Sequence, residues 1–129
     1  MSDKENFTLT NKTQGNIPPV SFAKIKDVAL GKDYNLSLVF IGERRSKRLN
    51  YSYRSKNKST NILSFPLDKK SGEIFITLSV VKRQTKKFDR KFPNLVTFLY
   101  IHGLMHLKGY NHGATMERAE MKLRKKFKV

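Results

Sequence analysis

The chain has 129 residues, no cysteine, and 27 Lys and Arg residues against 10 Asp and Glu, which gives a formal net charge of +17 at pH 7. This length predicts one domain over residues 1–129, and the lack of cysteine excludes disulfide bonds and thiolate metal sites. The positive charge favours a polyanionic partner, most commonly nucleic acid, over simple solubility or attraction to an anionic membrane surface.

The chain shows no pattern typical of secretion or membrane insertion. Residues 1–5 are polar and have no apolar run behind them, so we expect no signal peptide. The longest apolar stretch lies within residues 92–107 and is too short for a membrane span. We therefore expect a cytoplasmic, soluble protein with no membrane partner.

In the first half of the chain, the pattern predicts a strand, a helix, a buried strand and a short basic helix. The first strand covers residues 7–10, and the buried strand covers residues 35–41 and ends at Gly42. Ser21 is expected to cap the first helix, whose buried face would comprise Phe22, Ile25, Val28 and Ala29. The basic helix is expected at residues 43–51, with a polar loop at residues 54–59.

In the second half, two strands precede the helices. The strands are expected at residues 62–65 and 73–78, with a turn at residues 68–72. Ser79 can cap a helix that runs towards Phe88, and residues 94–108 form a helix that is apolar on nearly every face. The last helix, residues 115–127, places Met116, Ala119 and Leu123 inward. Strands mostly first and helices mostly last predict an α+β fold with one mixed sheet.

All 3 histidines of the chain lie within residues 102–112. His102 and His106 are four residues apart on a predicted helix, which places both imidazoles on one face. Gly109 allows a sharp turn that brings His112 back to the same point. Three imidazoles that converge in this way form a good site for zinc or a similar divalent metal, and they leave a fourth coordination position.

The surroundings of the histidines narrow the chemistry. Zinc proteases carry a glutamate immediately after the first histidine as the base, and here that position is Gly103, which disfavours proteolysis. The nearest carboxylates are Asp89, Glu117 and Glu120, and none has the local spacing of a planned ligand, although Glu117 stays open as one. An open fourth position would hold water, whose pKa a catalytic metal lowers.

Two segments carry a resemblance to a known family. Residues 102–112, His-Gly-Leu-Met-His-Leu-Lys-Gly-Tyr-Asn-His, resemble the YbeY family signature His-Gly-x-Leu/Met-His-Leu-x-Gly-Tyr-Asp-His. Leu49-Asn50, Tyr53-Arg54 and residues 60–66 are similar to the Leu-Asn, Tyr-Arg and Thr-Asp/Asn-Val-Leu-Ser-Phe-Pro of the family at the same spacing. Residues 72–76 match more weakly, and the resemblance covers most of residues 35–112.

The resemblance implies a mixed four-stranded sheet with about four to five helices and a zincin-like metal-binding core. It implies a metal-dependent, single-strand-specific endoribonuclease that matures ribosomal RNA, notably the 3′ end of the small-subunit rRNA, and acts in ribosome quality control. The partners would be ribosomal RNA and the small subunit, and one Zn²⁺ ion would be the cofactor, with no other small molecule. His102, His106 and His112 would be the metal ligands, and Arg54 would be the functional arginine of the active-site groove.

The role of Arg54 has a physical basis. Cleavage of RNA must stabilise extra negative charge on a phosphate, and an arginine fork can donate two hydrogen bonds to phosphate oxygens. Lys56 and Lys58 follow in the same basic loop and are expected to guide RNA electrostatically. Thr60 and Asn61 are expected to position the loop through local hydrogen bonds.

Two departures from the family pattern keep other interpretations open. Asn111 replaces the usual aspartate of the signature and can orient a histidine but cannot take a proton. The last helix is strongly basic, which indicates either a solvated face or added affinity for rRNA. The alternatives are a non-catalytic ribosome- or rRNA-binding protein with a structural zinc site, and a metal-dependent hydrolase of another phosphoester.

Overall fold

The computed structural model describes residues 2–4 and 6–129, so Met1 and Glu5 of the polar N-terminal segment lie outside the described residues. The strands are β1 (Ser2–Lys4), β2 (Phe7–Asn11), β3 (Asn35–Ile41), β4 (Ile62–Asp68) and β5 (Ser71–Thr77). The helices are α1 (Phe22–Leu30), α2 (Glu43–Arg54), α3 (Leu78–Arg83), α4 (Thr85–Phe88), α5 (Phe92–Leu107) and α6 (Ala114–Phe127). Within this described part of the chain, no helix is both long and apolar enough to cross a bilayer.

The five strands form one mixed sheet in the order β1-β2-β3-β5-β4. β2, β3 and β5 run parallel, and the two edge strands, β1 and β4, are antiparallel to their neighbours. The predicted α+β class is therefore confirmed, and a three-residue edge strand, β1, extends the four expected strands. The short helices α3 and α4 replace the one helix expected before α5, because the chain breaks at Gln84.

The core lies between the sheet and helices α1, α5 and α6. Tyr100 of α5 is fully buried, and its ring meets that of Phe22 edge-on with 5.1 Å between centroids. The Tyr100 hydroxyl donates a hydrogen bond of 2.9 Å to the Phe22 carbonyl, which satisfies this buried polar group. Burial raises the pKa of Tyr100 well above its usual value, so the hydroxyl stays a donor.

Helix α1 buries a different face from the one that its apolar residues predict. Val28 is 42% exposed, so its predicted place in the core is wrong, whereas Lys26 is completely buried. The Lys26 amine donates to Asp27 Oδ1 at 3.2 Å and to the Lys32 carbonyl at 3.2 Å, while its alkyl chain packs in the interior. Lys26 thus belongs to the buried face of α1, and Val28 does not. Ser21 precedes the helix as expected but forms no side-chain cap bond.

Helix α2 extends through Arg54, beyond the predicted end at residue 51, and Ser55 terminates it in the left-handed conformation. Two buried polar side chains of α2 fasten the following loop to the helix. The Ser46 hydroxyl accepts a hydrogen bond from the Thr60 N–H and donates to the Thr60 carbonyl, both at 3.0 Å, and Asn50 donates to the Lys58 carbonyl at 2.9 Å. These contacts fix where the end of α2 stands relative to β4.

The start of α2 is joined to α3 by a charged cluster. Arg83 donates two hydrogen bonds to the Glu43 carboxylate, at 2.6 and 2.9 Å, and the Ser79 hydroxyl donates a third at 3.0 Å. The bonds from Arg83 and then from Ser79 lower the pKa of Glu43 to about 2, so the carboxylate stays ionised at neutral pH. Ser79 therefore binds Glu43 and does not cap the helix as predicted, since α3 begins at Leu78.

Strand β4 forms the edge of the sheet beside α5, and it extends three residues past the predicted end. Pro66 lies inside the strand, which an edge tolerates because one side of the strand needs no ladder hydrogen bonds. Ile62 and Ser64 face α5, whereas Leu63 and Phe65 face the opposite side of the sheet, as the alternation of a strand requires.

Helix α5 lies very close to the sheet at two glycines. A Cβ atom on Gly103 would come within 2.8 Å of Ser64 Oγ and 2.9 Å of Ile62 Cδ1. On β5, a Cβ atom on Gly72 would come within 2.9 Å of Leu107 Cδ2, near the end of the same helix. A larger residue at either position would have to displace these side chains, so the two glycines favour the close approach of α5 to β4 and β5.

We expect Gly103→Ala to destabilise the protein by about 1–3 kcal/mol, because the clash with β4 outweighs the better helix propensity of alanine. The measurement is the free energy of unfolding in urea. Gly15→Ala is the control, because this exposed glycine has space for a Cβ, whose nearest contact would be 3.8 Å away. Equal stability of Gly103→Ala and wild type would contradict the close packing of α5 on β4.

Candidate metal centre

The last two turns of α5 bring His102 and His106 together. Their Nε2 atoms are 3.1 Å apart and their rings are nearly perpendicular, with centroids at 4.6 Å. Both histidines are half-buried, because the opposite face of the helix is packed in the core. The i, i+4 spacing therefore produces the pair that the sequence predicts.

His112 reaches the same point from outside the helix. Gly109 adopts a φ of 103° just after α5 ends, and this left-handed residue reverses the chain as predicted. The His112 ring centroid lies 4.8 Å from that of His106 and 5.5 Å from that of His102. His112 is exposed, so the cluster opens to solvent on this side.

The three imidazoles fit a single divalent ion. One nitrogen of each histidine lies within 4.8 Å of the others. Tetrahedral ligands at about 2.0–2.1 Å from a zinc ion are a little over 3 Å apart, which matches the 3.1 Å between the two helical nitrogens. Among the described residues, no carboxylate joins this group, and Glu117 lies on the wall of the surrounding groove instead.

A carboxylate behind the cluster orients one of the ligands. Glu120 of α6 is buried, and its Oε1 is hydrogen-bonded to Nδ1 of His102. This bond assigns the proton to Nδ1 and leaves Nε2 free to face the other two histidines. In the sequence, Glu120 is only a nearby acid without the spacing of a ligand. Its contact with His102 depends on how α6 packs against α5, which no local sequence pattern shows.

The charge state of His106 also suits a ligand. Partial burial, followed by the proximity of His102 and then His112, lowers the pKa of His106, and Glu120 opposes this shift only weakly. A lowered pKa keeps the imidazole neutral at physiological pH, which is the form that binds a metal.

The cluster lies in a groove of about 1190 Å³. Its walls come from the end of α2, strand β4, helix α5 and the start of α6, and they include Arg54, Asn111 and all three histidines. Arg54 is exposed at the last position of α2, and within the described part of the chain no carboxylate lies close enough to pair with it. The structure thus brings the predicted arginine and the predicted ligands to one groove.

Two other predicted residues stand apart from this groove. Lys56 and Lys58 are exposed in the loop after α2, and neither lines the groove walls. Their assignment to RNA binding stays a prediction. Thr60 and Asn61 are held by bonds to distant residues and not by the local bonds predicted, since the Thr60 backbone bonds to Ser46 and the Asn61 amide donates to Gln84 at 2.9 Å.

An aromatic pair forms the rim of the groove beside Arg54. The Tyr53 and Phe65 ring centroids are 4.6 Å apart, and Phe75 continues the series at 5.8 Å from Phe65. Tyr53 is 67% exposed although its ring is partnered on one side. A planar apolar ligand can therefore stack on its free face.

Comparisons with known proteins agree with these features. Residues 3–128 match the family described as Endoribonuclease YbeY. The chain is 36% identical to the endoribonuclease YbeY of Ehrlichia chaffeensis over 87% of this chain and 77% of that protein. It is 33% identical to that of Alkaliphilus oremlandii over 71% of this chain, and it spans 68% of the length of that relative. The solution structure of TM1509 from Thermotoga maritima shares the fold, with a TM-score of 0.66 at 20% identity over 95% of this chain and 91% of that one.

We expect Glu120→Gln to weaken zinc binding by about 10–100-fold, because a neutral amide supports the His102 imidazole less well than a carboxylate does. Competition with a chromophoric chelator measures the affinity. Glu117→Gln is the matched control, because it removes the same charge from the same helix without contacting a histidine. If both variants bind zinc equally well, Glu120 does not orient the site.

Proposed function

The chain belongs to the endoribonuclease YbeY family, and on that premise we propose that it is a metal-dependent endoribonuclease that cleaves single-stranded regions of ribosomal RNA. The observation that carries the proposal is the convergence of His102, His106 and His112 in a groove that also contains Arg54. We also propose that residues 1–129 form one catalytic domain and that it works in the cytoplasm.

The ligand set supports a catalytic metal over a structural one. Structural zinc sites are closed by four protein ligands, whereas catalytic sites keep one position open. The described residues supply three imidazoles and no fourth ligand, and the exposed His112 leaves the open side towards the groove. This arrangement weighs against the alternative of a non-catalytic ribosome-binding protein. Zn²⁺ is the ion that three imidazoles favour, although nickel and copper would also bind them.

The residues of the chain divide the work of phosphodiester cleavage. When bound, the metal would act as a Lewis acid towards a phosphate oxygen or water. Arg54 would clamp the phosphate with its guanidinium fork and stabilise the charge that develops there. Glu120 would hold His102 in the tautomer that the site needs. Asn111, on the groove wall, would bind by hydrogen bonds without exchanging a proton.

Specificity for single strands is supported by the aromatic rim. A base can stack on Tyr53 only when it is not already stacked and paired in a duplex. The net charge of +17 would add affinity for the phosphate backbone whatever the sequence.

We propose the 3′ end of the small-subunit rRNA as the substrate, the small subunit as partner and ribosome quality control as the wider role. A hydrolase of another phosphoester is the second candidate, since the groove also fits a nucleotide.

The first test is cleavage of a labelled single-stranded rRNA fragment by zinc-loaded protein. We expect His106→Ala to lose zinc and cleavage together, and Arg54→Ala to keep zinc while cleavage falls by about 10²–10³-fold, as loss of one charge-stabilising donor does. Arg48→Ala is the matched control, because this arginine is exposed on the same helix outside the groove. Equal cleavage by wild type and His106→Ala would indicate a contaminating nuclease and refute the enzyme proposal.

The second test concerns the aromatic rim. We expect Tyr53→Ala to weaken binding of an unstructured RNA by about tenfold, the value of one lost base stack, and Tyr53→Phe to retain it. Fluorescence anisotropy measures the affinity. Tyr51→Ala removes a similarly exposed tyrosine, 61% against 67%, from the same helix outside the groove and should bind like wild type. A similar loss for both alanine variants would exclude a specific role of Tyr53.

A further inference from the structure

Two arginines contact one phenylalanine beside the histidine cluster. Arg90 precedes α5 and its Cζ lies 4.1 Å from the centroid of the Phe98 ring. Arg124 of α6 places its Cζ 5.0 Å from the same centroid. Both distances are typical of cation–π contact, so the two guanidinium groups share one aromatic ring.

Among the described residues, neither arginine has an acidic partner. The ion pairs among the described residues are Lys26–Asp27, Glu43–Arg83 and His102–Glu120. The Arg90 guanidinium donates to the side chain of Asn94, which is neutral. Both arginines are half-buried, and the desolvation of Arg90 together with the neighbouring charge of Arg124 lowers its pKa.

The pair is aligned with the metal site along two packed helices. Asn94, Phe98, His102 and His106 follow one another at intervals of four residues on one face of α5. On α6, Arg124 follows Glu120 by the same interval, and Glu120 contacts His102. Phe98, which both arginines contact, therefore lies one helical turn, about 6 Å along the helix, before the first histidine.

Two half-buried cations that repel each other are an unusual arrangement for stability alone. Contact with Phe98 offsets part of the repulsion, but a bound anion would remove it and use the remaining donors of both forks. Phe98 and Phe88 line the groove of the histidines, and Phe88 also lines a neighbouring pocket of about 440 Å³ that contains Arg90. An anion that extends along the groove past Phe88 can therefore reach this arginine. A phosphate group matches both the charge and the planar forks.

We propose that Arg90 and Arg124 form a second phosphate-binding site, which takes a backbone phosphate of a single-stranded RNA whose neighbouring phosphate lies at the histidine cluster. This proposal rests on the proposed function for the identity of the ligand. The site would fix the position of the strand along α5, whereas Arg54 holds it from the side of α2.

The number of phosphates in contact can be counted from the salt dependence of binding. The probe is a labelled 12-residue 2′-O-methyl oligouridylate, and its affinity for zinc-loaded protein is measured by anisotropy at several salt concentrations. For a single strand, each lost contact reduces the slope of log affinity against log salt by about 0.7. We expect this reduction, with a loss of affinity of about tenfold, for Arg90→Gln and for Arg124→Gln.

Three further variants separate the site from general charge. Lys24→Gln removes an exposed lysine of α1 outside the groove, and Lys126→Gln removes an exposed lysine of the basic face of α6. Arg124→Lys retains the charge without the fork and should keep the slope while the affinity falls. Circular dichroism verifies the fold of each variant. Two results would overturn the proposal. In the first, Arg90→Gln and Arg124→Gln show the same slope as Lys24→Gln; in the second, Lys126→Gln reduces the slope as much as they do.

Failure of the proposed function has a different signature. A protein that binds the probe through Arg90 and Arg124 but cleaves no RNA would leave the phosphate site supported and the nuclease refuted. A protein that cleaves RNA while both arginine variants bind the probe like wild type would refute the phosphate site alone.

Discussion

The close contact between α5 and the sheet determines the geometry of the rest of the molecule. At Gly103 and Gly72 the helix and the strands lie so close that a Cβ atom would press on the side chains of Ser64, Ile62 and Leu107. The depth and rotation of α5 are therefore fixed, and the face that carries the histidines must point away from the core into the groove. Gly103 stands where a zinc protease has its glutamate base. Its packing against β4 gives a structural reason for a small residue at this position, beside the absence of protease chemistry.

The antiparallel contact between α5 and α6 adds the second layer of the site. It pairs His102 with Glu120 and, one turn away, Phe98 with Arg124. The first pair orients a metal ligand, and the second leaves cations next to the groove without a counterion among the described residues. A single helix–helix register therefore determines both the support of the metal centre and the charge beside it.

Local sequence signals predicted most elements but not the contacts between them. The strand at residues 35–41 and the Gly109 turn have strong signals within a few residues, and both are confirmed. The exposure of Val28 and the burial of Lys26 are not predicted, because burial of Lys26 depends on oxygen atoms that only the folded chain brings to its amine. β1 is short and polar and carries no apolar alternation, so nothing in its sequence marks it as a strand.

The same distinction applies to the site. His102, His106 and His112 converge because of spacing within eleven residues, which the sequence displays directly. Glu120 and the Phe98 contacts depend on how α6 lies against α5, which no local pattern encodes. The sequence does not indicate that α2 extends to Arg54. Tyr51 and Tyr53 are exposed, so the last turn has no buried apolar face that would mark it as helical.

The elements that carry the three histidines determine how the metal site forms. Two of them belong to a helix whose position depends on the hydrophobic core, and only His112 stands on an exposed segment after a glycine. The site is therefore largely assembled before an ion arrives, unlike a zinc finger, in which metal binding drives folding. Binding and release of an ion would therefore rearrange mainly residues 108–113, while the packed helix that carries the other two ligands keeps its place.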